Sequence, residues 1–320
     1  MHILITGSSG QIGTNLGLRL LAEGHSVVGI DQRPNTWTDQ FPTVLADLSD
    51  PVEHWSSQIE PVDMVVHLAA NAKVHALVKD PTRALKNVTV TFNVLELCRL
   101  RDVPVVFSST REVYGDIHRY ITTEADADFA FTESPYSASK IAGEAFLYSY
   151  AQCYGLRYLV FRFSNVYGRY DNDIERMSRV IPLFINKISQ GQSITVFGKD
   201  KVLDFTYVDD CIDGIYRGIE RLAAGAVSNE TFNLAYGSGN TLVQMAHFIA
   251  DALGVEPVIE YQPPRLGEVT HYVADISKAR EMLGYDPATP LETGIRKCVE
   301  WSTGWWAEHG RITVDVPHDE

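Results

Sequence analysis

Short apolar runs rich in β-branched residues recur along the first half of the chain: HILIT at 2–6, SVVGI at 26–30, DMVVHLA at 63–69 and PVVFSS at 104–109. Runs of this length with little alternation read as strands buried on both faces. Between them lie amphipathic stretches such as QIGTNLGLRLLAEG and the segment 81–101, whose apolar residues follow helical spacing. SPYSASKIAGEAFLYSYAQCYG then reads as a helix over 135–154, and LRYLVFRFSNVYG as strand and turn. The rhythm is β-α-β, which predicts an α/β fold with a doubly wound parallel sheet over residues 1–167 and right-handed crossovers.

After Gly168 the pattern loosens into RYDNDIERMSRVIPLFINKISQGQ, ITVFG, YVDDCIDGIYRGIERLAAG and a set of short helices. This predicts a smaller α+β unit over 168–320, with part of 203–235 returning to the first domain. There is no internal repeat and no low-complexity linker, so the two units should pack tightly with the ligand crevice at their seam. The last residues, ITVDVPHDE, read as a loosely held tail.

Composition narrows the partners. The 320 residues are 45% hydrophobic and carry a formal charge of -14, which opposes attraction to nucleic acid or to anionic membrane surfaces. No apolar run approaches the roughly 20 residues that span a bilayer. The first strand is expected to start almost at Met1, and no signal peptide is expected. Cys98, Cys153, Cys211 and Cys298 have no metal-ligand spacing and fit reduced thiols; a cytoplasmic location without a bound metal is expected.

GSSGQIG, with Gly7, Gly10, Gln11, Ile12 and Gly13, follows the first strand and opens a helix. Glycines there allow a tight turn and close approach of a pyrophosphate to the N–H groups at the helix start. Asp31 ends the next strand, where a carboxylate accepts hydrogen bonds from an adenosine ribose and repels a 2′-phosphate, favouring NAD over NADP. Arg33 blurs that choice slightly. Asp47, before Leu48 in LADLSD, contacts the adenine or caps the helix that follows.

Tyr136 and Lys140 in YSASK stand four apart, hence on one helix face. A phenol ordinarily titrates near 10; a lysine and a positive nicotinamide ring would have to lower it by about three units, or roughly 4 kcal/mol, to make a base near neutrality. Elsewhere such a pair would be amphipathic surface residues. The dinucleotide loop upstream makes the catalytic reading the stronger one.

GSSGQIG, Asp31, HLAA, SSTREVYG, SPYSASK, FSNVYG, DFTYVDD and PRLGE occur in that order, and together they resemble the extended short-chain dehydrogenase/reductase family, most closely its nucleotide-sugar 4-epimerases of the UDP-glucose 4-epimerase type. The match runs from the first strand to about residue 285. The resemblance implies a Rossmann domain holding NAD, a smaller domain for a nucleotide-diphosphate sugar, most often a UDP-sugar, and a homodimer joined through 81–101 and 135–154. It places Tyr136 as base, Lys140 as its electrostatic partner, and Thr110 against the sugar hydroxyl. It also places Leu68, Ala69, Ala70, Asn87 and Ser108 beside the cofactor, and Asn165 and Arg265 near the substrate's phosphates.

SSTREVYG is the departure that bears on chemistry. The family's 4,6-dehydratases read Thr-Asp-Glu here and use both acids; its UDP-glucuronate decarboxylases read Thr-Ser-Glu. This chain has Thr110, Arg111 and Glu112. A guanidinium cannot serve as a general acid, so water loss is disfavoured, whereas Glu112 leaves decarboxylation open. Arg111 could pair a uronic acid carboxylate, or the two side chains could face solvent or form a local ion pair. Leu203 stands where epimerases carry an arginine for the diphosphate; Lys199 or Lys201 could compensate. Arg169 and Arg176 could reach the crevice, or lie on a charged helix.

Overall fold

The computed structural model describes residues 1–115, 122–127, 132–171, 174, 177, 179–264 and 270–310. Among the described residues the strands are β1 His2–Thr6, β2 Ser26–Asp31, β3 Thr43–Leu45, β4 Met64–His67, β5 Val105–Thr110, β6 Tyr158–Phe163, β7 Asn165–Tyr167, β8 Ile194–Phe197, β9 Val202–Tyr207, β10 Glu230–Leu234, β11 Gly239–Thr241, β12 Ile259–Gln262 and β13 His271–Tyr272. The helices are α1 Gln11–Ala22, α2 Val52–Ser56, α3 Val74–Lys79, α4 Thr82–Arg101, α5 Pro135–Tyr154, α6 Val180–Ser189, α7 Val208–Ala223, α8 Leu242–Leu253, α9 Ser277–Leu283 and α10 Leu291–His309.

Seven strands form one parallel sheet in the order β10-β6-β5-β4-β1-β2-β3. Strand order reverses beside β1, and in such sheets ligands sit outside the carboxyl ends of the strands at that switch. β10, from late in the chain, completes this sheet beside β6, with Phe232 opposite Phe161. β9 does not join it. It pairs instead with β7, β11 and β13 in a second sheet, while β8 and β12 make a two-stranded third. The two halves share one continuous core in which Ile3, Phe161, Tyr167, Phe205, Ile249 and Trp306 are all buried. Apolar burial therefore fixes the seam between them.

The long helix α5 shows why its sequence folds locally. Ser134 and Ser137 form a reciprocal cap, Pro135 opens the first turn, and Gly155 at φ 72° closes the last. Its capped start is set beside the carboxyl end of β5, with Gly143 against the Phe107 ring. Among the described residues no helix is long and apolar enough to cross a membrane, and no group of three or more metal-ligating side chains occurs. Residues 312–320, read above as a loose tail, lie outside the described residues.

Phe161 is fully buried between Phe232 and Gly218. Phe161→Ala should lower the unfolding free energy by about 3–5 kcal/mol, measured by denaturant titration. A loss below about 1 kcal/mol would show that the strand is not packed as described.

Candidate active site

The glycine loop leaves β1 and turns into α1. Gly7 adopts φ +71°, and a β-carbon there would lie 2.8 Å from the Ala69 amide nitrogen; one on Gly13 would collide with the Gly7 carbonyl. Only glycine satisfies both positions, which fits a loop built for close backbone approach to a pyrophosphate. Asp31 accepts hydrogen bonds from the N–H groups of Ser9 at 3.0 Å and Arg33 at 3.2 Å, so its carboxylate lies against the loop. Arg33 reaches back to the Ser9 carbonyl at 3.3 Å. Gln11 donates to the Gly168 carbonyl at 2.7 Å, tying the loop to the other half of the chain, and Ile12 packs into the shared core.

Asp47 does not cap the following helix, whose cap position is Pro51. It accepts from Ser49 N at 2.9 Å and pairs with Lys86 Nζ at 2.6 Å, and the Lys86 and Ser49 bonds outweigh its desolvation and hold its carboxyl well below the usual range. Leu48 is buried with its carbonyl bonded by Asn93. Thr6 Oγ1 accepts from Leu68 and Ala69 N–H at 3.2 Å each and meets His67 Nδ1 at 2.7 Å. Burial of that imidazole, with Lys140 nearby, lowers its pKa to about 3, so it stays neutral. Ala70 is exposed beyond this anchored turn. Asn87 is buried: it accepts from Asn71 N at 2.7 Å and donates to Ser139 Oγ at 3.2 Å.

Tyr136, Thr110 and Lys140 converge at the carboxyl end of β5. Thr110 Oγ1 accepts from the Glu112 N–H at 3.2 Å as the chain enters a 3₁₀ turn, and the Thr110 side chain acts on the buried Tyr136 phenol. Burial raises the Tyr136 phenol above its usual value and Glu112 adds to this, whereas the Thr110 bond, Arg179 and Arg111 act in the opposite direction. Lys140 Nζ donates to the Ser108 carbonyl at 2.7 Å and sits 5.0 Å from the Phe107 ring centroid. Its burial lowers the ammonium pKa to about 8, with Glu144 opposing. In the protein alone, then, Lys140 is spent on the strand end and is not among the groups that lower the phenol.

Arg111 and Glu112 do not face solvent. They form an ion pair at 3.1 Å, each side chain 14% exposed, with the guanidinium 5.8 Å from the Tyr272 ring centroid. Asn165 donates to the Asp204 carbonyl at 2.8 Å. Leu203 packs on the core opposite Tyr272 of β13 and offers no charge. Arg169 is not on a helix; it follows Gly168 and pairs with Asp209 at 2.6 Å. Arg265 and Arg176 lie outside the described residues.

Sequence reasoning missed a buried polar strut behind this site. Glu144 receives two bonds from Arg162, at 3.0 and 2.6 Å, and the Ser109 hydroxyl at 2.5 Å. Arg162 continues to Tyr114 and to the Glu124 carbonyl, and Tyr114 to Asn233 of β10. The available signal was spacing: Glu144 lies one turn beyond Lys140.

A parallel sheet with a glycine loop at its switch point and a Tyr-Lys helix at the next strand end defines a dinucleotide-dependent enzyme of the short-chain dehydrogenase/reductase class. The chain belongs to the NAD dependent epimerase/dehydratase family, whose sequence model matches residues 3–235. It is 34% identical over 316 residues to a UDP-glucose 4-epimerase of Mycolicibacterium smegmatis, covering 94% of this chain and 98% of that one. A UDP-glucuronate 4-epimerase of Arabidopsis thaliana is 30% identical over 342 residues, covering 96% and 77%. The crystal structure of a Thermus thermophilus UDP-glucose 4-epimerase in complex with NAD superposes with a TM-score of 0.84 at 29% identity, over 95% and 99% of the two chains.

The buried lysine carries a pH signature. Between a folded pKa of about 8 and the ordinary lysine value the unfolded chain binds the extra proton, so raising pH through this window stabilises the fold. Relative to Lys140→Met, the wild type should gain about 2–3 kcal/mol of unfolding free energy from pH 7 to 10. Parallel stability curves for the two proteins would refute that environment.

Proposed function

We propose that the protein is an NAD-dependent nucleotide-sugar 4-epimerase acting on a uridine-diphosphate sugar through a transient 4-keto sugar. The observation that carries the reading is that Tyr136 and Thr110 are both buried at a strand end that the Lys140 ammonium, one helix turn from Tyr136, braces through the Ser108 carbonyl. The relatives named UDP-glucose and UDP-glucuronate 4-epimerases support the substrate class without separating its members.

When bound, NAD supplies a cationic nicotinamide that accepts a hydride and can give it back. The chain's own residues handle the proton. The Thr110 hydroxyl, which accepts the Glu112 N–H, acts to lower the phenol and so favours its anionic form, as a donor to the phenolic oxygen does. Tyr136 then takes the proton of the sugar 4-hydroxyl and returns it after the ketone has turned over in the site. Because burial raises the phenol, Tyr136 needs added positive charge to act as a base, which a bound oxidised cofactor would supply. Arg111 occupies the place of a general acid and cannot act as one, while Glu112 is held in an ion pair. Both features favour epimerisation over loss of water.

The homodimer is also proposed. Leu85, Phe92 and Leu100 on α4 and Tyr148 and Tyr154 on α5 are all more than 40% exposed, and these two helices pack side by side. Such a patch suits a second copy of the same helix pair.

Mass spectrometry and proton resonance on a panel of nucleotide sugars should show unchanged mass with inversion at carbon 4. Tyr136→Phe should lower turnover by at least about 10³-fold while NAD binding persists. Loss of water or carbon dioxide as the main event, or an active Phe variant, would overturn the reading.

A further inference from the structure

We propose that Arg111 is an anchor for a carboxylate on the substrate's sugar, so that a nucleotide-linked hexuronate is preferred over a neutral hexose; this rests on the epimerase reading above. The guanidinium is half satisfied. Nη2 is taken by Glu112 Oε1 at 3.1 Å, whereas Nη1 is buried and has no hydrogen-bond partner among the described residues. A buried donor on a charged group is costly to leave unpaired, so this nitrogen is where a ligand acceptor gains most. The Tyr272 ring, wholly buried, lies behind the guanidinium and limits its movement.

Chain position says which part of the sugar it meets. Tyr136 takes the carbon-4 proton and the Arg111 charge acts on its phenol, so the guanidinium is near enough to meet a substituent on a neighbour of carbon 4. A hydroxyl there could fill one donor. A carboxylate on carbon 5 accepts in the plane of the fork and matches its charge. Two acids also face Arg111, and neither takes Nη1. Glu112 holds the other nitrogen, and Asp204 is already met by the N–H groups of Tyr236, Gly237 and Ala274. Arg179 also adds positive charge around Tyr136 and is itself paired to Asp171.

The test is calorimetric binding of UDP-glucuronate, UDP-glucose and UDP to the NAD-loaded protein, as wild type, Arg111→Gln and Arg111→Lys, with thermal melts to confirm folding. The wild type should favour UDP-glucuronate over UDP-glucose by about tenfold or more, and Arg111→Gln should remove about 10–100-fold of UDP-glucuronate affinity while moving UDP far less. Arg111→Lys, which keeps the charge but loses the fork, should fall between. A wild type with no preference for the hexuronate overturns the proposal. So does an equal loss for UDP, which would put the guanidinium on the diphosphate. Inversion of UDP-glucose without hexuronate preference would sink this proposal alone, whereas hexuronate preference without any inversion would sink the epimerase reading.

Discussion

A buried ammonium bonded to a strand-end carbonyl is the constraint on which the site depends. Lys140 is 4% exposed, and Ser108 O is its close acceptor. That bond, made from the first turns of α5, fixes the helix against β5 and thereby sets Tyr136 beside Thr110. The Glu144–Arg162 pair makes the same attachment one turn further on through Ser109, and both of its side chains are under 10% exposed. Removing one partner of such a pair leaves a buried charge, so the geometry is held by groups that cannot be lost singly without large cost.

The strut also joins the two halves of the chain. Arg162 lies on β6, Glu124 follows the loop after β5, and Asn233 lies on β10, the strand that arrives late in sequence to complete the main sheet. Asp204 performs a similar task on the other side of the crevice, gathering three backbone N–H groups. Its burial lifts the carboxyl to about 6, although those N–H groups pull it down. The crevice walls are thus fixed by buried polar bonds as well as by the common core, and Arg111 stands between them.

Much of this was legible in the sequence. The strand-loop-helix order around Gly7, Gly10 and Gly13, the face shared by Tyr136 and Lys140, and the two long helices all follow from periodicity and steric rules. What could not be read were pairings between residues far apart in the chain. Asn87 was placed beside the cofactor by resemblance, but its bond to the turn after β4 could not be read. Arg169 looked helical because its charged neighbours mimic an amphipathic face, yet it serves a strand-end turn and Asp209. Arg111 and Glu112 were ambiguous for the same reason: whether adjacent charges pair or diverge is decided by the 3₁₀ turn and by Tyr272, more than 150 residues away.

The central claim is that the Tyr136 site inverts carbon 4 by removing and returning a hydride. The most direct measurement follows a nucleotide sugar deuterated at carbon 4 through turnover in ordinary water. The account predicts that the inverted product keeps its deuterium at that carbon, because the label departs and returns within one closed site. Exchange of the label for solvent hydrogen would contradict it, since that requires a proton abstraction for which this arrangement of residues has no place.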